Sequence, residues 1–302
     1  MPSSHFRSVD LIFPVIERRT WKGFDMRTVV SSARLRFLDP FLVMAHARID
    51  SLKAIPDHPL RGIENITYIL NGSLVHEDCN NTTTELKEGD VQWLSAGSGI
   101  MQCQVPGTQG VEGIQVFVNL SSGMKTKPAQ YHVVRRKEIP TSKKNGVAVT
   151  AVAGDHSTGT TTLKSKLSTQ TPILFLDVTL NAESQLEQAI PAGWNAFFYV
   201  LHGTVTVGED KKEAEPNYCV TFKQDGDGVL IENASKSPAR LILIAGQPLN
   251  EPVFRHGPFV MNSQKEILQT IRDFANKANG FESSRNWKSA YSRRNAAEKV
   301  KR

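Results

Sequence analysis

The stretch PDHPLRGIENITYILNG, from Pro56 to Gly72, has a second and weaker copy in IPAGWNAFFYVLHG, from Ile190 to Gly203. Matching residues lie 131 positions apart: Gly62, Tyr68, Leu70 and Gly72 recur as Gly193, Tyr199, Leu201 and Gly203. In both copies an apolar run with an aromatic residue leads into a glycine and then into another alternating run, which is typical of a β-hairpin. A recurrence at one fixed offset indicates an internal repeat, so we predict two similar β-domains in tandem.

The rest of the chain continues the strand pattern. Short alternating or apolar runs are bounded by Gly, Pro, Asn and Asp, which is typical of β-sandwiches and β-barrels. The clearest runs are Phe41 to Arg48, Ile66 to Leu70, Ile114 to Leu120, Ile173 to Leu180 and Leu241 to Ala245. We therefore predict an all-β fold class.

One segment near the C-terminal end has the pattern of a helix. Ser263 is followed three residues later by Glu266, which together form a capping box. Gly280 is the expected stop signal. The apolar stripe between them consists of Ile267, Leu268, Ile271 and Phe274. We expect this helix to lie across a barrel.

The domain boundary is predicted from composition. The stretch from Ser121 to Gly146 is rich in Lys, Arg, Pro and Ser, as connectors often are. We place an N-terminal barrel at residues 1–130 and a C-terminal barrel plus helix at residues 131–282. Residues 283–302 then form a separate basic tail.

Composition excludes several classes of protein. The chain has 302 residues, 39% of them hydrophobic and 22% charged, as in ordinary globular proteins. No window approaches the roughly 18 uncharged apolar residues of a membrane span, and the first residues lack the apolar core of a secretory signal. The three cysteines show no C-x-x-C spacing, so neither a disulfide framework nor a thiolate zinc site is indicated. We expect a protein of the cytosol or nucleus.

The net charge of +6 is concentrated at one end of the chain. Residues 285–302 alone carry a net charge of +6, and the remaining residues are balanced. A nucleic-acid-binding fold would spread basic residues over one of its surfaces. We therefore expect no direct nucleic-acid binding by the folded body. The tail resembles a loose nuclear-import signal, and a merely solvated terminus is the alternative.

Four motifs in order resemble the pirin family of the cupin superfamily: Pro56 to Gly72, GDVQWLSAGSGI (Gly89 to Ile100), Ile190 to Gly203, and HGPFVMNSQKEI (His256 to Ile267). The resemblance covers most of the chain. It implies two cupin-type, jelly-roll barrels in tandem, in a monomer whose N-terminal barrel holds one iron ion. It also implies a nuclear transcriptional cofactor that binds transcription-factor-type protein partners, present in nucleus and cytoplasm, or a flavonol (quercetin) dioxygenase.

The ligand positions depart from the family pattern. Pirins carry H-P-H before Arg-Gly, where this chain reads His58-Pro59-Leu60. They then supply a histidine and a glutamate two residues apart, where this chain has Gln102 and Gln104. Of the four ligands that the resemblance implies, His58 alone remains. We therefore expect no metal, or weakly bound iron, and assign no catalytic residue.

Other residues are candidates for rebuilding the site. Glu64 follows His58 at the distance where many other cupins carry a glutamate ligand, and a structural hydrogen bond is its alternative role. Gln102 and Gln104 are possible weak donors. His46 is a minor candidate. His76-Glu77-Asp78 places an imidazole beside carboxylates, but adjacent residues of a strand point to opposite faces, so we expect a structural role.

Two functions remain open. One is a non-enzymatic regulatory protein that retains the pirin scaffold without most of the iron site. The alternative is a metal-dependent quercetin 2,3-dioxygenase with a rebuilt or weak site. A further possibility is that the emptied cavity binds a small molecule without chemistry.

Overall fold

The computed structural model describes residues 5–21, 23–51, 53–158, 161–208 and 210–300. Strands dominate this part of the chain, which confirms the predicted all-β class, and they form two separate units. The described residues contain no helix that is both long and apolar enough to cross a membrane.

The first ten strands are β1 (Val9–Pro14), β2 (Glu17–Trp21), β3 (Phe24–Val30), β4 (Phe41–Ile49), β5 (Ile55–Leu60), β6 (Ile63–Asp78), β7 (Thr83–Lys87), β8 (Val91–Ser95), β9 (Ile100–Asn119) and β10 (Gln130–Val134). The next seven are β11 (Thr141–Lys144), β12 (Val147–Ala153), β13 (Asp155–Thr158), β14 (Thr161–Lys164), β15 (Ile173–Leu180), β16 (Ser184–Ala189) and β17 (Asn195–His202). The last are β18 (Val205–Val207), β19 (Lys212–Ala214), β20 (Tyr218–Phe222), β21 (Gly228–Asn233), β22 (Ala239–Gly246), β23 (Phe254–His256) and β24 (Phe259–Met261), followed by helices α1 (Gln264–Asn276) and α2 (Ala290–Val300).

The chain forms two compact units. The N-terminal barrel comprises residues 17–27, 41–136 and 249–300, and the C-terminal barrel comprises residues 5–16, 28–40 and 137–248. The N-terminal barrel is built on a nine-stranded sheet whose main path runs β10-β8-β6-β9-β4-β3-β2, with β5 added to β9 and β7 added to β6. The C-terminal barrel contains a seven-stranded sheet, β1-β20-β17-β22-β15-β12-β11, and a four-stranded sheet, β16-β21-β18-β19.

This division corrects the predicted domain boundaries. The first strand, β1, pairs with β20 and so belongs to the C-terminal barrel, whereas the predicted boundary assigned all of residues 1–130 to the N-terminal one. Strand β10 lies inside the predicted connector, but it pairs with β8 along its whole length and belongs to the N-terminal barrel. The chain therefore passes from the N-terminal to the C-terminal barrel near residue 136. Composition does not predict the placement of β1 and β10, because each strand pairs with an edge strand that is distant in the sequence.

The duplicated motif occupies equivalent positions in the two barrels. Tyr68 lies buried in β6 and Tyr199 lies buried in β17. Gly62 has a φ of +78°, and a Cβ placed there would lie 1.9 Å from the carbonyl oxygen of Val260. Only glycine fits this turn, since any side chain would collide with the backbone.

Helix α1 confirms the predicted capping box. The Ser263 hydroxyl accepts the backbone N–H of Glu266, and the Glu266 carboxylate in turn accepts from Ser263 and from the backbone N–H of Asn262. The helix ends earlier than predicted, because Lys277 adopts the left-handed conformation at the C-cap and Gly280 lies beyond it. The helix also belongs to the N-terminal barrel, not to the C-terminal barrel where the sequence placed it.

Candidate functional site

The four family ligand positions lie on the facing strands β5 and β9 of the N-terminal barrel. His58 of β5 pairs with Gln102 of β9, and Gln102 in turn pairs with Asp78 of β6. Residues directly opposite in an antiparallel pair share a face, so these three side chains form one row. Gln104 and His76 form the next row on the same face.

His58 makes two hydrogen bonds that fix its tautomer. Its Nδ1 lies 2.8 Å from the carbonyl oxygen of Pro56, which can only accept, so Nδ1 carries the proton. Its Nε2 is therefore the acceptor for the side-chain amide of Gln102, at 3.0 Å. Burial lowers the pKa of His58, which favours this neutral ring. An amide proton of Gln102 thus occupies the one lone pair with which His58 could bind a metal ion.

The other two family positions hold residues of different chemistry. Leu60 is buried in an apolar cluster with Leu94, Ile63 and Ile100. Gln104 is buried, and its side-chain nitrogen has no hydrogen-bond partner.

Glu64, the candidate replacement ligand, is hydrogen bonded to a residue outside the row of His58. Its carboxylate accepts the indole N–H of Trp93 at 2.7 Å, and both side chains are buried. Glu64 lies in the first half of β6, opposite Ser95, whereas the row of His58 lies opposite the end of β6. The structure therefore places Glu64 in the structural hydrogen bond that was its alternative role.

This donor set does not fit the iron centre that the family implies. Three imidazoles and a carboxylate would give a first-row metal four strong donors, three neutral nitrogens and one anionic oxygen. Here the positions offer one imidazole nitrogen, already hydrogen bonded, together with two neutral amides and an alkyl group. Among the described residues, no cluster of three His, Cys, Asp or Glu side chains has metal-binding geometry.

Sequence reasoning misjudged a buried pair, of which Asp78 lies in the row of His58 and His76 in the next row. His76 and Asp78 are two residues apart, so they share the inner face, and His76 Nε2 lies 3.1 Å from an oxygen of Asp78. Although burial opposes ionisation, hydrogen bonds from His76 and Thr82 lower the pKa of Asp78. The ring of Tyr131 stacks on His76 with 4.5 Å between centroids. The spacing of alternate strand residues was the signal that could have identified the pair.

The predicted basic tail contacts the outside of the same strands through Ser289 and Ala290. The backbone N–H groups of Ser289 and Ala290 donate to the carboxylates of Asp57 and Glu77, at 3.3 and 2.8 Å. Ser289 is fully buried, and its hydroxyl accepts the N–H of Ser292 as the N-cap of α2. Carboxylates at a helix N-terminus are favourable because of the exposed N–H groups and the helix dipole. Residues 283–300 are thus part of the N-terminal barrel instead of a separate tail, and Lys301 and Arg302 lie outside the described residues.

The remaining candidates have structural surroundings. The imidazole of His46 is largely buried and paired, because its Nε2 lies 2.8 Å from the carboxylate of Glu112. Cys103 is buried, and burial raises the pKa of its thiol to about 11, so the reactive thiolate is absent at neutral pH. His202 and His256 are exposed.

In the described part of the C-terminal barrel, the positions that match the polar row hold different residues. Ala189 and Pro191, which match His58 and Leu60 in the repeat, are exposed. Its interior is filled by one large apolar cluster that includes Leu176, Phe198 and Leu243. The two barrels of the repeat therefore differ in the chemistry of their interiors.

Comparison with known proteins agrees with this architecture. Residues 21–118 match the family model described as Pirin, and residues 175–280 match that of the Pirin C-terminal cupin domain. The chain is 40% identical to pirin of Homo sapiens over 271 residues, covering 88% of this chain and 92% of the relative. It is 39% identical to a pirin-like protein of Solanum lycopersicum, covering 88% and 90% of the two chains.

Solved structures show the same fold. A quercetin 2,3-dioxygenase from Acinetobacter baumannii superposes with a TM-score of 0.80 at 25% identity, covering 90% of this chain and 98% of that one. The bacterial pirin YhhW from Escherichia coli, crystallised with nickel(II), gives a TM-score of 0.61 at 17% identity, covering 79% and 100%. The second likeness concerns the fold alone. Family models on both barrels and relatives of about 40% identity over most of the chain place it in the pirin family.

Proposed function

We propose that this chain is a non-enzymatic pirin-family protein, a regulator of transcription-cofactor type that binds protein partners and works without the family iron centre. The observation that carries the proposal is the hydrogen bond from the Gln102 amide to Nε2 of His58. This hydrogen bond uses the His58 nitrogen that would otherwise bind the metal ion. The partner class and the expectation of a monomer come from the family resemblance, whereas the expectation of no direct nucleic-acid binding comes from the balanced charge of the folded body.

Iron binding in this site would be costly. The ion would have to displace the Gln102 amide from His58, and that amide would then have to find another partner inside a buried site. In return the ion would gain one imidazole and neutral oxygens, which are weak ligands for iron. No carboxylate stands at the family position to favour the ferric over the ferrous state.

The second candidate is a quercetin 2,3-dioxygenase with a rebuilt or weak metal site. The likeness to the Acinetobacter baumannii enzyme supports it, since it extends over 90% of this chain. His76 and Asp78, which share the inner face with His58, are the residues that a rebuilt site would use.

One purification separates the two functions. Protein expressed with added iron should contain far less than one equivalent of iron by elemental analysis, and should not turn over quercetin beyond the rate without protein. The Acinetobacter baumannii dioxygenase is the positive control. Chelation should leave the melting temperature unchanged within error, because no metal contributes to folding. One tightly bound equivalent of iron, or iron-dependent quercetin cleavage, would overturn the non-enzymatic proposal.

We also propose that the basic C-terminal residues direct part of the protein to the nucleus. Truncation after Tyr291 removes Arg293, Arg294 and the residues beyond, but keeps the contacts of Ser289 and Ala290 with the barrel. It should lower nuclear accumulation and leave the melting temperature within about 1–2 °C of the full chain.

A longer truncation serves as the comparison. Removing residues 287–302 also deletes the buried Ser289 and the Trp287 side chain that packs against the cluster of Leu60. This loss of apolar burial should lower the melting temperature by several degrees, on the order of 5 °C. An unchanged cellular distribution of the shorter truncation would leave the tail without an import role.

A further inference from the structure

Two edge strands of the C-terminal barrel face the same cavity. In the described part of the chain, β16 ends the four-stranded sheet and pairs only with β21, while β11 ends the seven-stranded sheet and pairs only with β12. The cavity has a volume of about 640 Å³ and is lined by Ser142 and Lys144 of β11 and by all six residues of β16. An edge strand has N–H and C=O groups that no neighbouring strand completes. The cavity therefore offers backbone hydrogen bonds along its walls.

Hydrogen bonds fix the walls at both ends of β16. At one end, Asn181 donates its backbone N–H to the carbonyl oxygen of Gly146 in the turn between β11 and β12, at 2.8 Å. At the other end, Nδ1 of the buried His156 donates to the side-chain oxygen of Gln188, whose side-chain nitrogen donates to the carbonyl oxygen of Ala189. Burial lowers the pKa of His156, so its ring is neutral and Nε2 is an acceptor.

The cavity continues beyond the end of β16. A second cavity, of about 660 Å³, shares Gln188 and Ala189 with the first and extends past Pro191 to Trp194. We call the two cavities together the β16 groove. Strand β16 alone has six residues and is about 20 Å long, at about 3.3 Å per residue. An extended segment of chain matches a groove along a strand edge, whereas a compact ligand would leave most of the edge unpaired.

The groove combines apolar surface with negative charge. Val149 and Leu186 of the barrel core form part of its lining. The lining also contains three exposed carboxylates and one exposed amine: Glu183, Glu187, Asp227 and Lys144. Three carboxylates against one amine give the groove a net negative charge, which favours a positively charged occupant.

The matching strand of the N-terminal barrel already packs against a segment of chain. Strand β5 matches β16 in the repeat, because His58 corresponds to Ala189. The backbone N–H of Ser289 donates to Asp57 of β5, and Trp287 packs against the cluster that contains Leu60. In the C-terminal barrel, the corresponding strand lines the groove. A polypeptide segment is therefore an occupant that this position of the repeat accommodates.

We propose that the β16 groove binds an extended, positively charged peptide segment of a protein partner, which adds as a strand to the free edge of β16. Alternate apolar side chains of the peptide lie over Leu186 and Val149, and its basic side chains face Glu183 and Glu187. This inference rests on the proposed function, because it names the surface and the partner chemistry for the protein binding proposed above. The groove belongs to the C-terminal barrel, whereas the row of His58 belongs to the N-terminal one.

The probe is the synthetic peptide acetyl-Lys-Val-Lys-Val-Lys-Val-amide, which carries amines on one face of an extended chain and apolar side chains on the other. We expect saturable binding below about 1 mM by calorimetry. Binding should slow hydrogen exchange of the backbone N–H groups of β16. Exchange in β19, the opposite edge of the same sheet, should not change.

Modified peptides test the two sources of affinity. Replacing the three lysines by glutamate should weaken binding at least about tenfold, because the groove is negatively charged. N-methylation of the three lysines, or of the three valines, removes the donors from one edge of the peptide or from the other. At least one of these two peptides should also bind about tenfold more weakly or worse, because a strand that lacks its donors cannot pair with β16.

Two variants place the site. Glu187→Lys reverses an exposed charge in the groove and should weaken the peptide about threefold or more. Glu213→Lys makes the same change of charge at an exposed position of β19 and should bind like the natural chain. Melting temperatures show whether both variants fold, and Glu187→Gln replaces Glu187→Lys if the latter does not.

The outcomes separate the inference from the proposed function. Absence of saturable binding up to about 1 mM, equal binding of the glutamate peptide, or unchanged exchange in β16 would overturn the inference and leave the non-enzymatic function untouched. A dimer of the natural chain whose β16 is already protected and excludes the peptide would also overturn it, since a second copy would then be the occupant. One equivalent of iron would instead overturn the proposed function, whatever the peptide does. Binding that Glu187→Lys weakens and Glu213→Lys does not supports the inference.

Discussion

Leu60→His, Gln102→His and Gln104→Glu, introduced together, should convert the natural chain into one that binds about one equivalent of iron. The three positions and His58 lie on adjacent strands and on one inner face, since His58 pairs with Gln102 and Leu60 follows two residues after His58. His58 already has its Nδ1 proton bonded to the carbonyl of Pro56, the arrangement in which Nε2 is free to bind a metal once the Gln102 amide is removed. We expect iron affinity to rise by at least about 100-fold, measured by elemental analysis and by titration.

Stability provides a second readout for the same variant. Leu60→His places a polar ring in an apolar cluster, so the metal-free triple variant should be less stable than the natural chain by about 2–4 kcal/mol. Iron should recover part of this loss, because binding to the native state alone stabilises it. Adding His58→Ala to the triple variant is the matched control, and it should abolish both effects. A triple variant that folds but binds no iron would show that the four positions do not converge on one point.

The fold was predictable from sequence because its signals are local or periodic. The run from Ile173 to Leu180 coincides with β15, and the offset between the two tyrosine strands reveals the duplication. The capping box at Ser263 also survives in the structure, since it depends on residues three positions apart. Each of these features is fixed by neighbours along the chain.

The errors concern features that are fixed across the chain. The N-terminal strand β1 belongs to the C-terminal barrel, and the C-terminal helices belong to the N-terminal barrel. This placement depends on which edge strand or surface of each barrel is available for packing, and no local sequence pattern encodes it. In the site, substitution of the family ligands was readable from His58, Leu60 and Gln102. The hydrogen bond from the Gln102 amide to Nε2 of His58 was not predictable, because it depends on the register between β5 and β9. The pair of His76 and Asp78 was misjudged because adjacent residues were compared and alternate residues were not.

The attachment of helix α1 depends on one buried arginine. Arg61 directs its guanidinium to Asp273 at 2.8 Å and to the hydroxyl of Thr270, and it also donates to the carbonyl oxygens of Ser98 and Asn279. Arg61 and Asp273 are each about 6% exposed as side chains. The guanidinium carbon lies 4.7 Å from the ring centroid of Phe281, so the cation also stacks on an aromatic face. This single residue therefore links the turn before β6 to the helix and to the segment that follows it.

Arg61→Ala should destabilise the N-terminal barrel by about 3–5 kcal/mol, because it leaves the Asp273 carboxylate buried without its cation. Arg48→Ala is the matched control: Arg48 is 65% exposed in its pair with Glu112, so its loss should change stability by less than about 1 kcal/mol. Hydrogen exchange in α1 and urea unfolding at neutral pH measure both variants.

Burial opposes ionisation of Asp273, but hydrogen bonds from Arg61, Asn279 and Gln269 lower its pKa in the native protein. The carboxylate therefore stabilises the fold above its unfolded pKa of about 3.9, and this contribution fades as the pH falls further. The difference between Arg61→Ala and the natural chain should accordingly shrink in acid. An Arg61→Ala protein as stable as Arg48→Ala at neutral pH would show that α1 is held by its apolar face alone.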